Sequence, residues 1–273
     1  MLGLGINSIV ASTQEAGSRI AGRVSYTNTK SLFLDGTGDT FAAGFTQAQK
    51  ETFFRDSFTI SFWGKFNFNN NAWYAFGFDS TTGQRTNLNL RMLNLGGGNS
   101  WYPSGTFNSI GWNAGFLATG LTGDKTTWVH IAMTMEKGAT PSDNNTFKLY
   151  QNGVLLNSGG SAATIAGNMS ATAFTGDVDI TFGGLTNTSG TSGNADMNVD
   201  EVAFFNSALD ASNIAAIYNS GSTFNLTSAN GNYNKQSDLV RYYRLEDNLT
   251  DTTGTSNGST QGDPTFDSNT PDS

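Results

Sequence analysis

Hydrophobic and polar positions alternate with a period of two through much of the chain. Over 56–66, Phe58, Ile60, Phe62 and Phe66 share one face, and over 127–135 so do Val129, Ile131, Met133 and Met135. Such alternation predicts strands with one face on a core, because successive side chains of a strand point to opposite sides. A hairpin is predicted over 146–156, where Asn152-Gly153 best accepts the positive φ angles of a type I′ turn. Further strands are expected at 31–34, 73–78, 88–93, 177–182, 199–205 and 239–245, separated by clusters of Gly, Ser, Asn and Thr. One segment reads as a helix: Asp210 is an N-cap, Ile214, Ile217 and Tyr218 recur at helical spacing, and Gly221 ends it. Many strands with one short helix predict an all-β antiparallel sandwich.

Composition sharpens this picture. At 13% charged residues and 33 Gly the chain borders on a disordered composition, but 20 Phe, 8 Tyr and 5 Trp supply the apolar area of a core. With 273 residues, one large β domain is expected over 30–273, preceded by an N-terminal arm over 1–29 that shows no clear period. The tail from about residue 250 is polar enough to be loosely ordered. No Cys and a single His exclude disulfide scaffolds, thiol nucleophiles, Cys-based zinc sites and His-rich metal centres. Fourteen basic against 22 acidic residues, a net charge of −8, argue against a nucleic-acid groove and against docking on anionic lipid. No apolar run approaches the roughly 20 residues of a membrane span, so no membrane insertion is expected. The stretch from Met1 to Asn7 lacks the features of a signal peptide, which predicts synthesis in the cytoplasm.

Several segments, in order, resemble the laminin-G-like, concanavalin A-like jelly roll. They are the strand and loop from Ser31 to Asp39, the Phe58 to Trp63 strand, the Trp128 to Ala132 strand, the Leu149 to Gly153 hairpin and the Val199 to Leu209 stretch. The helix after Asp210 sits where that family has one. The segment from Leu239 to Asp247 is similar to the strand that usually opens such a domain, yet here it comes last, which implies permuted final strands closing the sheet. The resemblance implies two antiparallel sheets with a concave face. It does not imply one activity, since lectins, adhesins, glycanases and virion proteins share the architecture.

The general character also resembles structural proteins of tailed phages. The leading expectation is therefore a non-enzymatic virion protein: a capsid decoration or tail-fibre component with an adhesive role, located in the particle. Its partners would be other capsid or tail proteins and copies of itself in a homo-oligomer. The alternative is a carbohydrate-binding module or lectin-like adhesin, calcium-assisted or not, whose partner is a glycan on a host surface. A glycanase needs paired acids at a set separation. The acidic stretch 196–201 lacks the alternating E-x-D-x-x-E pattern of glycanases on this fold, and adjacent Asp200 and Glu201 would point to opposite faces of a regular strand.

Trp73, Tyr74, Trp101, Tyr102 and Trp112 lie in Gly- and Asn-rich, loop-like surroundings and are the candidate aromatics, either for stacking on sugar rings or for packing at an interface. Asp35 and Asp39 in an Asp-Gly-Thr-Gly-Asp loop, joined by Asp200 through the resemblance, are the candidate calcium ligands. The alternative for the loop is plain Asp-Gly turn chemistry. His130 is expected to be a packed structural histidine.

Overall fold

A computed structural model describes residues 26–67, 73–80, 86–94, 99–107, 110–113, 116–117, 125–156, 163–165, 169, 179–187 and 190–273. Positions 1–25 of the expected arm lie outside these. Along the described chain come β1 (Ser31–Asp35), β2 (Thr40–Ala43), α1 (Gln47–Phe54), β3 (Phe58–Phe66), β4 (Trp73–Ser80), β5 (Thr86–Asn94) and β6 (Asn99–Phe107). β7 (Ile110–Asn113), β8 (Phe116–Leu117), β9 (Trp128–Glu136), β10 (Asn145–Gln151), β11 (Val154–Leu155), β12 (Ala163–Ile165) and β13 (Ile180–Phe182) follow. The remainder is β14 (Leu185–Asn187), β15 (Gly190–Ser192), β16 (Asp196–Phe205), α2 (Ala211–Tyr218), β17 (Leu239–Tyr243), β18 (Ser259–Gln261) and β19 (Thr265–Asp267).

These strands form two sheets. The first runs β11-β10-β9-β3-β16-β1-β19, with β12 on β10 and β17 on β16. The second runs β18-β2-β13-β4-β5-β6-β7, with β8, β14 and β15 attached to it. Described pairings are antiparallel apart from β14 on β4. The predicted alternation is realised: Phe58, Ile60, Phe62, Phe66, Val129, Ile131, Met133 and Met135 face inward and are buried with Leu88, Leu90 and Met92 of the other sheet. Phe182 sits at the centre, with its ring 5.1 Å from Phe62, 5.2 Å from Phe76, 5.9 Å from Phe41 and 6.2 Å from Phe204.

The first sheet has a second apolar layer on its outer side. Ala132, Tyr150, Ala203, Phe205 and Tyr242 of that face pack against Ile214 and Ile217 of α2 and against Leu226 and Tyr233 of the segment behind it. Asp210 caps α2 by accepting from the backbone of Asn213 at 2.8 Å. The helix ends at Asn219, which takes the left-handed conformation at φ 47° two residues before the expected glycine. The Asn152-Gly153 turn has φ of 52° and 75°, as type I′ requires. A Cβ on Gly153 would lie 3.1 Å from the Ala215 backbone, so the turn is also the seat of α2.

Three elements depart from the expectations. α1 is a second helix, opened by a capping box in which Thr46 and Gln49 exchange side-chain and backbone hydrogen bonds. The segment around Trp101 is a nine-residue strand, β6. Its Pro103 falls between the stretches paired by β8 (Ser100 and Trp101) and by β7 (Ser104 to Phe107), where a missing N–H breaks no ladder bond on that side. The polar tail gives β18 to the second sheet and β19 to the first, so turn-rich composition here conceals pairing partners. β17 joins the first sheet through β16.

Because rings from both sheets converge on Phe182, Phe182→Ala should lower unfolding free energy by about 3–5 kcal/mol, the usual cost of deleting a buried ring. Denaturant unfolding measures it, and a loss below about 1 kcal/mol would show that this centre collapses freely.

Candidate functional site

The outer face of the second sheet is polar. Since Leu88, Leu90 and Met92 of β5 are in the core, Asn87, Asn89 and Arg91 take the other side. Cross-strand register then builds rows. Tyr74 of β4, Arg91 of β5 and Tyr102 of β6 form one. Gly77, Asn89, Ser104 and Asn113 form the next, and Asp79, Asn87 and Thr106 a third. Ser104 donates to Asn89 Oδ1 at 2.9 Å, and Asn87 Nδ2 donates to Asp79 Oδ1 at 3.4 Å. The guanidinium of Arg91 lies 4.9 Å over the Tyr102 ring. Asp79, Asn87 and Asn89 are buried at the base, whereas Tyr74, Arg91, Tyr102, Ser104 and Thr106 are partly exposed. Gly77, opposite Asn89, has no room for a side chain: a Cβ there would lie 2.8 Å from Leu185 Cδ1, which packs over it.

The five candidate aromatics separate accordingly. Tyr74 and Tyr102 lie on the polar face. Trp101 does not: it is 0% exposed in the core, edge-on to Phe66 at 4.9 Å, and its Nε1 donates to Gln151 at 3.1 Å. Its loop-like setting is corrected to a strand in which neighbours alternate faces, so Trp101 and Tyr102 serve different sides. Trp73 and Trp112 pair through their backbones with Met92 and Gly105, while their side chains lie outside the described residues.

The calcium ligands do not assemble. Asp35 Oδ1 accepts from Thr37 N at 2.6 Å, and the Asp39 carboxylate accepts from the backbones of Asp35 at 3.2 Å and Asp263 at 2.9 Å. This is turn chemistry: the carboxylates cap backbone donors. Asp35 pairs with Asp196, whose carboxylate is taken by Lys125 at 2.6 Å. Asp200 is four residues further along β16, about 13 Å away at strand rise. Among the described residues no three His, Cys, Asp or Glu side chains are grouped as a metal site.

Asp200 and Glu201 instead mark a buried carboxyl pair. Against β3, Asp200 pairs with Trp63 and Ala203 with Ser61, so two residues oppose one and β16 carries a bulge there. Glu201 takes φ 50° within it. The expectation that these neighbours diverge is overturned for that reason: Asn28 Nδ2 donates to Asp200 at 2.9 Å and to Glu201 at 3.4 Å. The Tyr242 hydroxyl also donates to Glu201, and the Arg244 Nε lies 3.7 Å from it. The two residues are 0% and 4% exposed. Burial pushes the Glu201 carboxyl up to about 7, and burial and the Glu201 charge push Asp200 well above the usual carboxylate range. Beside them His130 is fully buried, with Nε2 2.7 Å from Ser61 Oγ and its ring 5.4 Å from Trp63. Burial drops its pKa to about 3, so it stays neutral, in keeping with a structural role.

The arrangement defines a concanavalin A-like jelly roll, with one sheet covered on its outer side and the other polar. The chain belongs to the laminin-G family described as Laminin_G_3, of the concanavalin A-like lectin/glucanases superfamily, whose pattern matches residues 35–215. Among solved structures it is similar to a Bacteroides ovatus protein provisionally described as carbohydrate binding, at 17% identity and a TM-score of 0.58, covering 89% of this chain and 60% of that one. The chain thus spans about three fifths of that protein's length. It is also similar to the NanB sialidase of Streptococcus pneumoniae (16% identity, TM-score 0.51, 68% of this chain and 27% of that one). A leech intramolecular trans-sialidase is similar too (16% identity, TM-score 0.50, 72% and 28%). No curated protein matches the chain by sequence.

The carboxyl pair predicts a pH dependence. A carboxyl whose folded pKa is raised stabilises the fold at low pH, and this stabilisation is lost as pH rises through about 7. His130 works in the opposite sense: its depressed pKa stabilises above about 6.5 and that contribution is lost on acidification. Between pH 6.5 and 8.5 the Glu201 contribution should fall by about 1 kcal/mol, offset by about 0.4 kcal/mol as the unfolded chain's histidine, half-charged at pH 6.5, gives up its proton. Glu201→Gln keeps that offset and should lose clearly less than the native chain. Denaturant titrations at both pH values decide this. Equal losses would remove Glu201 as the cause.

Proposed function

We propose that the chain is a non-catalytic carbohydrate-binding domain that takes glycans on the outer face of its second sheet, with an adhesive role. The observation that carries this is the asymmetry of the two outer faces. The first is covered by the chain's own apolar residues from α2 and the following segment. The second carries Tyr74, Tyr102, Asn89, Ser104 and Thr106 on strands, with no comparable apolar layer among the described residues. Sugar hydroxyls demand fixed donors and acceptors at close spacing, and the flat faces of pyranose rings pack on aromatic rings. Amide and hydroxyl side chains in rows with two tyrosines meet both needs, and because strands hold them little ordering is required on binding. Membership of the lectin/glucanase superfamily and the likeness to the Bacteroides protein support the reading. Asp200 and Glu201, the acids a glycanase reading would have used, are buried against Asn28 and Tyr242 on the other sheet. The phage-particle role expected from general character draws no support from the fold, and location in a particle stays outside this proposal.

An array of immobilised glycans followed by calorimetry tests the proposal. The purified chain should bind at least one oligosaccharide saturably, and Tyr102→Ala and Tyr74→Ala should each weaken it by about tenfold, equivalent to about 1.4 kcal/mol. Trp101→Ala, by contrast, should lower thermal stability because it opens a cavity in the core. Absence of binding across the array, or binding indifferent to both tyrosines, would overturn the assignment.

A further inference from the structure

The centre of the polar face holds a cation, Arg91, without a counter-ion among the described residues. The other described arginines each face a carboxylate: Arg55 lies 3.0 Å from Glu51, Arg241 3.7 Å from Asp251 and Arg244 3.8 Å from Glu246. The Arg91 side chain makes no hydrogen bond and no ion pair among the described residues. Its Nε is buried without a partner, and its one described contact is the Tyr102 ring. The acid of the same face, Asp79, stands opposite Asn87, four residues along β5 from Arg91 and so about 13 Å away. A partly buried guanidinium gives up part of its hydration, and an unpaired buried donor costs about 1–3 kcal/mol or more when charged. In a chain of net charge −8, acids to neutralise it are plentiful, yet none among the described residues is paired with it.

We infer that the glycan taken on this face carries an anionic group, and that Arg91, set between Tyr74 and Tyr102, recognises it. This rests on the glycan-binding reading and names the substrate class for the same site. The guanidinium fork presents parallel N–H donors that match the two oxygens of a carboxylate or of a sulfate ester. Tyr74 and Tyr102 occupy the adjacent register positions on either side, so a ring stacked on one tyrosine brings a substituent to the central cation. Ser104 in the next row, held from below by Asn89, is left for the hydroxyls. A single cation selects one anionic group per bound unit, whereas a polyanion such as a nucleic acid needs several. The chain's negative charge does not prevent the encounter, because charges beyond about 8–10 Å are largely screened at physiological salt. Uronic or other carboxylated sugars and sulfated sugars share this chemistry.

The test compares matched pairs of oligosaccharides by calorimetry: oligogalacturonate against its methyl ester, sialyllactose against lactose, and sulfated against unsulfated galacto-oligosaccharide. The acidic member of at least one pair should bind about tenfold or more tighter than its neutral counterpart, with the preference shrinking at high salt. Arg91→Ala should bring the ratio close to one. Arg91→Lys, which keeps the charge but loses the fork, should retain part of it, and thermal melting of both variants confirms that they fold. A preference confined to carboxylated pairs or to sulfated pairs identifies the group, and either supports the inference. Equal binding of acidic and neutral members, or a preference that survives Arg91→Ala, overturns it while leaving glycan binding intact. Failure to bind any member of any pair, or any glycan on the array, overturns both.

Discussion

The structure depends on how β16 is shared. On one side it pairs along its length with β3; on the other it is handed from β1, which pairs with Asp196 to Val199, to β17, which pairs with Val202 to Phe205. The changeover leaves Asp200 and Glu201 without a strand on that side, and the bulge with its positive φ sits there. A non-glycine residue in that conformation costs on the order of 1–3 kcal/mol and persists only where its surroundings fix it. Here they do so with Asn28 from before β1, Tyr242 from β17, and Arg244 just beyond it. Two acids fill a gap in a ladder, so three distant parts of the chain meet at one point of the first sheet.

The same sheet therefore cannot offer its outer side to a ligand. α2 and the segment up to Tyr233 lie across it, and Trp63 and His130 pack under Tyr218 at the end of the helix. The second sheet has the opposite construction. Its inner side is as apolar as that of the first, and its outer side spends positions on amides, hydroxyls, two tyrosines and one arginine. The core and the polar face are thus separated by the thickness of a sheet, so the partly exposed Tyr74, Arg91, Tyr102, Ser104 and Thr106 stand apart from the apolar core.

Much of this was legible in the residues. The alternation at Phe58 to Phe66 and at Val129 to Met135 announced strands and which side faced inward, Asn152-Gly153 announced its hairpin, and Asp210 its helix. What escaped needed knowledge of partners. Trp101 is flanked by Gly, Asn and Ser that mimic a loop, and only pairing with β5 makes it a core residue. The Thr46-Gln49 capping box was written in the chain, but α1 buries Lys50, Phe53 and Phe54 without a helical period strong enough to draw notice. Asp200 and Glu201 face the same neighbour because of a bulge, and no local pattern marks a bulge. The row of Tyr74, Arg91 and Tyr102 spans 29 residues of sequence and exists only in cross-strand register.

The placement of β18 and β19 bears on how the protein is made. β19 lies beside β1 and β18 beside β2, so the earliest strands of both sheets stay unpaired along one edge until the chain beyond residue 260 is available. Contacts of such long sequence separation slow folding, since loop closure must precede any gain from pairing. On a ribosome the nascent sandwich would wait with two open edges, each an invitation to a neighbouring chain. The closing strands, Ser259-Thr260-Gln261 and Thr265-Phe266-Asp267, carry a single strongly apolar residue, Phe266, so the waiting segment exposes little apolar surface until it clasps both sheets at once.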